Sequence, residues 1–484
     1  MIPFGNFEPD RLIYANGVTT NAVNCIPVAD GWGPLPQTIP FSDALPAACT
    51  GAFYIRTTTG GYRIFAGTAT ALYEFDASDF GWDDVSRTGD PYAVPDGDQW
   101  WFVVFGTNLL AGNLGTEMQV IDIDIGTEFA DQTGSPPKSR YAWLAGSQLV
   151  IAHLDDAPNR VMTSGIGDAT FWTPGRRGCD FQDFPDGEEI VGGVGAQGGA
   201  VIFQRTKIRS MTMLPGDVAF RTDVLNSDRG VAAPLSIAQT GPGQFVYLSH
   251  DGFFANVEGR AIGLERVDRW YRGMIDQEAV GQVKAMVDPL NKIVWWQSPM
   301  PGDEKFLLGY CWPLDRWCYG TAVFTNMASL VTAGVTIDGV DAFYDSIDEI
   351  PIPFDSVLWT GGIRSLAVFD DEYRMCFFAG GAMAATLETA DMQLVSGRRS
   401  FVSGARLVGD VPATYNLRAI TSDWHGGART DGATNQPNSY TGIVPFRSES
   451  LFHAFRAEIG EGEVWQHVSG VDFPEGGVKA GGQR

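Results

Sequence analysis

From about residue 46 onward the chain is built of short apolar runs cut by turn residues. Examples are GAFYIRTTTGGYRIFAG, WWFVVFGTNLLAG, MQVIDIDIG, AVIFQRTKIRSMTM, QFVYLSHDGFFAN and KIVWWQSP. Each carries Val, Ile, Phe, Tyr or Trp in rough alternation and stops at Gly, Pro, Asn or Asp. That is the pattern of half-buried strands joined by tight turns. The runs recur with a period. An aromatic residue near a turn closes each group: Trp82, Phe129, Trp172, Phe220, Trp270 and Trp317, spaced 47, 43, 48, 50 and 47 residues apart. Propeller blades repeat at roughly 40–50 residues, because one four-stranded sheet cannot cover both its faces and neighbouring blades must do so. The expected fold is all-β: a β-propeller of six or seven blades. A large β-sandwich is the competing reading of the same strands.

Three regions depart from this rhythm. Residues 1–45 hold Pro3, Pro9, Pro27, Pro34, Pro36 and Pro40 with little periodicity, and read as an extended N-terminal arm. Residues 265–286 place Val267, Trp270, Met274 and Ile275 near helical spacing, which predicts a short helical insertion inside the propeller of 46–394. After 395 the strands become longer and alternate cleanly, as in RRSFVSGARLVGD and LFHAFRAEIG, around a polar loop at 425–442. Residues 395–473 therefore read as a C-terminal antiparallel, sandwich-like domain, and 474–484 as a flexible tail.

Composition supports many strands and a large core. Of the 484 residues, 44% are hydrophobic and 12% aromatic, with 59 Gly and 27 Pro and only 19% charged. The net charge of -25 repels phosphate, which argues against a protein that grips nucleic acid by charge, but not against one that lets nucleic acid slide past. Basic residues are dispersed, the densest groups being Arg176–Arg177 and Arg398–Arg399. The N-terminus lacks a basic stretch followed by an apolar run, so no signal peptide is expected, and no run is long enough for a membrane helix.

Candidate chemistry is sparse. Cys25, Cys49, Cys179, Cys311, Cys318 and Cys376 form no CxxC motif. Cys311 and Cys318 flank a turn and could face each other, but buried free thiols are the simpler reading. GVGAQG places Gly193, Gly195 and Gly198 in a GxGxxG match, yet a strand pattern follows where a dinucleotide fold needs a helix. Asp122 and Asp124 share one strand face by alternation and read as solvated rather than as a calcium loop. Asp180, Asp183, Asp186, Glu188 and Glu189 crowd one segment; paired carboxylates serve glycosidases, but a charged inter-blade loop is the usual explanation for such a cluster. His153, His250, His425, His453 and His467 fit no metal-ligand spacing. No catalytic, cofactor or metal residue is assigned, and no cofactor is expected. Trp295, Trp296, Trp312 and Trp317 look exposed, which keeps a polysaccharide-cleaving or receptor-binding propeller as the alternative.

The segment FPDGEEIVGGVGAQGGAVIFQRTKIRSM resembles the tail-hub or nozzle proteins of short-tailed bacteriophages, also called packaged-DNA stabilisation proteins. DRGVAAPLSIAQTGPGQFVYLSHDGFF, the helical stretch and VKAMVDPLNKIVWWQSP follow in the family's order, and FRAEIGEGEVWQHVSGVDF is similar to its closing strands. The resemblance is best over 140–320 and poor over 1–140. It implies a structural virion protein, assembled in the host cytoplasm and not an enzyme. It further implies a homo-oligomeric ring, a hexamer, below the portal and adaptor. Such a ring would seal and extend the DNA channel, dock tail fibres or spikes, and pass genomic DNA without tight binding. No membrane insertion is implied.

Overall fold

The computed structural model describes residues 1–12, 17–196, 198–214, 219–256, 258–302, 304–332, 359, 361–424 and 426–481. Its strands form a propeller, as the aromatic period predicted. Among the described residues six four-stranded antiparallel sheets stand alone as blades. In chain order their first strands are Gly51–Arg56 (blade 1), Trp101–Phe105 (blade 2), Ser139–Ala145 (blade 3), Ile190–Ala196 (blade 4), Ala238–Gly241 (blade 5) and Asn326–Val331 (blade 7). A further group of four, Lys284–Asp288, Ile293–Pro299, Lys305–Cys311 and Arg316–Gly320, takes the place of blade 6 and runs on into a larger sheet.

The core lies between blades, where stacked sheets cover one another's apolar faces. Phe65, Leu72, Leu109 and Ile121 join blades 1 and 2. Leu110, Leu149, Ile151 and Met162 join blades 2 and 3. Phe203, Phe245 and Tyr247 join blades 4 and 5. Leu330, Phe369 and Phe377 of blade 7 meet Ile64, Ala66 and Phe75 of blade 1, which closes the ring.

The periodic aromatics mark the outer ends of blades. Trp82, Phe220 and Trp317 lie on the fourth strands Trp82–Asp84, Phe220–Asn226 and Arg316–Gly320. Phe129 immediately precedes the fourth strand of blade 2, Ala130–Asp131, and is buried. Trp172 sits in the connection before the fourth strand of blade 3, Phe181–Asp183. Trp270 follows blade 5 and sits on a helix.

The expected boundaries at 45 and 395 do not separate the strands. Pro36–Ala44, at the end of the expected arm, is the outer strand of blade 7 and pairs with Arg374–Ala382. Pro36 and Pro40 are tolerated there because an outer edge strand needs no second row of N–H donors. Two further sheets mix both chain ends, one of them an extension of blade 6. One orders Val444–Ser450, Ser400–Asp410, His467–Asp472, Gly31–Pro34 and Cys25–Val28. The other leaves blade 6 through Arg316–Gly320 and continues with Val18–Val23, Ala385–Thr389, Phe452–Ile459, Asn416–Ser422 and Thr430–Asn435, ten strands in all with Asn6–Phe7 at its side. The tail is not free throughout, since Val478–Ala480 pairs with Ser400–Val402.

The helical insertion is shorter than its sequence pattern. Only Asp268–Met274 is α-helical; Val280–Gln282 makes a single 3-10 turn, and Lys284–Asp288 is the first strand of blade 6. Val267 precedes the helix and has no side chain able to cap it. Asp10 does so from the N-terminal segment, its carboxylate accepting the N–H groups of Arg269 and Trp270, each at 2.7 Å.

Candidate functional site at the propeller axis

The first strand of each blade runs nearest the axis, and the turn that follows it decides what surrounds the opening there. In blades 3 to 6 these turns are tight. Gly146, Gly198 and Gly243 take φ of 60°, 79° and 69°, a region that glycine enters without steric cost; Lys292 takes 56° in the matching turn of blade 6. The turns surround an open cavity of about 1280 Å³. Leu144, Ala196 and Val287 give it apolar wall, Gln239 and Thr240 give it amide and hydroxyl groups, and Trp312 stands half-buried at its side. Lys292 and Arg364 supply its only charges: among the described residues no carboxylate lines it. Arg364 lies over the ring of Tyr54, 5.8 Å from its centroid.

Close backbone contact shapes the wall. A Cβ on Gly195 would lie 2.4 Å from the carbonyl oxygen of Leu144, so blades 3 and 4 touch main chain to main chain. Trp143 lies against Gly193, is 6% exposed, and holds a buried indole N–H that has no hydrogen-bond partner among the described residues.

The GxGxxG match is thus a β-hairpin. Ile190–Ala196 pairs with Gly199–Gln204, and its glycines serve blade packing and the turn rather than a phosphate.

Asp122 and Asp124 do not converge. Asp122 ends a strand and its carboxylate accepts the N–H groups of Asp124 (2.9 Å) and Ile125 (3.0 Å), which hold its pKa below the usual carboxylate range. Asp124 sits in the turn and accepts from the Thr58 N–H and hydroxyl, both at 2.8 Å, bridging blades 1 and 2. The expected solvated strand face is therefore a pair of turn and inter-blade contacts. Among the described residues no group of three His, Cys, Asp or Glu is placed to hold a metal ion.

The carboxylates of 180–189 are spread along blades 3 and 4, most of them engaged. Asp183 takes two hydrogen bonds from Arg160, at 2.6 and 3.0 Å. Asp186 is held by Lys207 at 2.8 Å and by Arg209, which draw its pKa down to about 2. Glu189 accepts from Arg205 at 2.7 Å. Asp180 accepts the N–H of Phe181 at 2.9 Å. Glu188 is exposed, and neither it nor Asp180 forms an ion pair with a described residue.

All six thiols are buried and free. Cys311 faces Arg316 and Cys318 faces Gly309 across their strands, so the two thiols are not paired in register. Burial raises the thiol pKa of Cys49 and Cys179 to about 11 and that of Cys376 to about 12, which leaves them unreactive at neutral pH. His153 bonds the Ile190 carbonyl at 2.8 Å, His250 the Arg205 carbonyl at 3.3 Å, and His467 lies 3.0 Å from Asp30. His453 is wholly buried, 3.3 Å from the Ser400 hydroxyl. His425 lies outside the described residues.

The expectation of four exposed tryptophans is corrected. Trp295, Trp296 and Trp317 are fully buried. Trp296 donates to the Ser236 carbonyl at 2.9 Å and Trp317 to that of Ile262 at 3.0 Å. Blade 6 is covered on both faces, so alternation along its strands does not separate inside from outside. Only Trp312, in the turn between the third and fourth strands, keeps partial exposure.

Sequence reasoning missed two arrangements. One is the cavity with Lys292 and Arg364, which lie 72 positions apart and bear no motif. The other is a network in the ten-stranded sheet. Buried Glu388 takes Arg429 at 2.8 Å and Arg456 at 2.6 Å, and Arg418 and Arg456 share Asp431 at 2.9 and 3.3 Å. Cross-strand register alone unites these residues.

No protein-family model matches the chain, and no curated protein matches it. Three solved structures are similar in their path. A copper-bound fungal alcohol oxidase of the AA5 family is 8% identical with a TM-score of 0.38, over 90% of this chain and 99% of that one. The AfRom2 CNH domain is 10% identical with a TM-score of 0.36, over 71% and 98%. A chain of the mitotic checkpoint complex is 10% identical with a TM-score of 0.36, over 63% and 88%.

Proposed function

We propose that this propeller is a structural, non-enzymatic component of a bacteriophage tail: a nozzle or hub subunit that assembles into a ring, a hexamer, below the portal and adaptor. The observation that carries the reading is the ten-stranded sheet. It runs from a blade through strands of both chain termini and ends on Thr430–Asn435, an edge strand whose residues are almost all exposed. A long sheet locked into a propeller makes a stiff body, and an open edge offers main-chain groups to another chain. A heterologous contact of that kind closes into a ring when its rotation allows.

Two further features support the reading. The order of motifs over 140–320 resembles the nozzle family, and three of the five carboxylates of 180–189, Asp183, Asp186 and Glu189, are engaged by arginine or lysine. The charge of -25 suits a conduit through which DNA slides, although screening confines that repulsion to roughly 8 Å at physiological salt. On this reading tail fibres or spikes dock on the outer surface, and the protein resides in the virion.

Negative-stain microscopy of the purified chain with portal and adaptor tests the proposal. Rings stacked on the adaptor are expected, and Ala433→Pro in the edge strand is expected to weaken them. A chain that stays monomeric and joins neither partner would sink it.

A further inference from the structure

We infer that copies of this chain join head to tail by strand addition, Phe220–Asn226 of blade 4 in one copy lying beside Thr430–Asn435 of the next. The inference rests on the ring reading above and names the second surface of its contact. The first ground is a comparison of sheet edges. Among the described residues, four outward-facing edge strands are longer than four residues: Pro36–Ala44, Phe220–Asn226, Thr430–Asn435 and Val444–Ser450. The outer strands of blades 1, 2, 3 and 5 have only two or three residues. Pro36 and Pro40 stand in one long edge and Pro445 in another. Shortness and proline both keep foreign strands from pairing. Phe220–Asn226 and Thr430–Asn435 have neither guard, and most of their residues are exposed. Each therefore offers main-chain N–H and C=O groups to another strand.

The second ground is that the two edges complement each other. Arg221 and Asp223 are exposed and meet at 2.7 Å on one face of the blade 4 strand. Arg418 and Asp431 meet at 2.9 Å on one face of the other edge. Laid parallel with Arg221 beside Asp431, the strands put Asp223 on the face that carries Arg418, so opposite charges adjoin. Such exposed pairs add little energy but fix register. Alternation then turns Val224, which is 46% exposed, to the opposite face, where Ala419 lies. On that face Thr430–Asn435 borders a hollow of about 600 Å³, lined by Ala419, Gly432, Ala433, Asn435 and Phe446. Small residues on one edge thus meet a bulky apolar side chain from the other.

The fit is between unlike edges, which makes the contact heterologous, the kind that closes into a ring. It also joins the blade 4 sheet of one copy to the ten-stranded sheet of the next, so the stiff element runs unbroken from copy to copy.

Cross-linking of the full chain, alone and with portal and adaptor, tests the inference. In this register Val224 of one copy lies beside Asn435 of the next. The native thiols are all buried, so a Val224→Cys chain and an Asn435→Cys chain each gain one accessible thiol. The two are mixed at about 100 μM, enough to populate a contact with a Kd of that order, and treated with a short bis-maleimide. Covalent dimers of unlike chains are expected, and none from either chain alone. Val224→Lys is expected to weaken self-association in the ultracentrifuge by about tenfold or more while melting like the parent. Ile125→Lys, at an exposed position of blade 2, is expected to change nothing. The inference is overturned if copies associate without the unlike cross-link, if either chain alone cross-links as well as the mixture, or if Val224→Lys associates like the parent. A chain that stays monomeric in both settings overturns it too. Rings on the adaptor without the cross-link sink this inference and leave the ring proposal standing. Head-to-tail cross-links in a chain that ignores portal and adaptor support this inference and sink the tail reading.

Discussion

Gly193 in blade 4 lies against the six-membered ring of Trp143 in blade 3, so closely that a Cβ there would come within 2.5 Å of two ring carbons. The indole fills the position a side chain would take, and it packs with Ala145, Val150, Ala200 and Ile202 in the wall between the blades. Gly193→Ala is expected to destabilise the protein by about 1–3 kcal/mol, because an enclosed ring has little room to retreat. Thermal unfolding measures the loss. Pairing the change with Trp143→Leu should recover part of it, and independent, additive effects would show that the contact is not the cause.

Asp10 holds a helix more than 250 residues away in sequence. With Val267 unable to cap, the two N–H groups at the start of Asp268–Met274 depend on that one carboxylate. Asp10→Ala should loosen the helix by about 1–2 kcal/mol. Hydrogen exchange should speed up over 264–275 while the blades stay protected. Unchanged exchange there would count against the capping role.

Asp268 carries a carboxyl whose pKa burial pushes up to about 6, with Asp10 and Asp251 adding to the rise and Arg272 opposing it. Between pH 4 and 6 the folded protein holds this proton and the unfolded chain does not. The stability it contributes is therefore lost as pH rises through 6, and a buried charge remains above that. Asp268→Asn keeps an oxygen for the Phe253 N–H, which the carboxylate accepts at 3.2 Å. The variant should be more stable at pH 7.5, by about 1–2 kcal/mol after allowing for partial solvation, and equal to the parent near pH 4. Chemical denaturation at the two pH values decides it.

His453 shows the opposite sign. Burial lowers its pKa to about 4, so the folded state keeps the ring neutral while the unfolded chain protonates it below about 6.5. Its contribution is full above pH 6.5 and is lost as pH falls toward 4. His453→Gln should flatten that part of the acid-unfolding profile by about 2 kcal/mol. An NMR titration placing the ring near its ordinary pKa would contradict this account.

The sequence was most informative where local chemistry decides structure. Val, Ile and aromatic alternation with Gly and Pro turns specified strands, and the spacing of Trp82, Phe129, Trp172, Phe220, Trp270 and Trp317 specified how often a blade closes. GVGAQG could be read as a turn because a strand pattern follows it where a dinucleotide fold needs a helix.

Tertiary structure decided everything that depends on which distant segments meet. Pro36–Ala44 completes a blade begun at residue 326, Val18–Val23 enters a sheet otherwise built near the C-terminus, and Asp10 caps the helix of Asp268. Strand pairing uses main-chain groups that every residue but proline carries in full, so a strand's partner leaves little mark on its own sequence. The same holds for the tryptophans of blade 6: alternation tells one face from the other, but whether both are covered depends on what the rest of the chain stacks against them. Lys292 and Arg364 line one cavity only because a turn of blade 6 and the start of a strand of blade 7 face the same opening, a fact of geometry that no local pattern encodes.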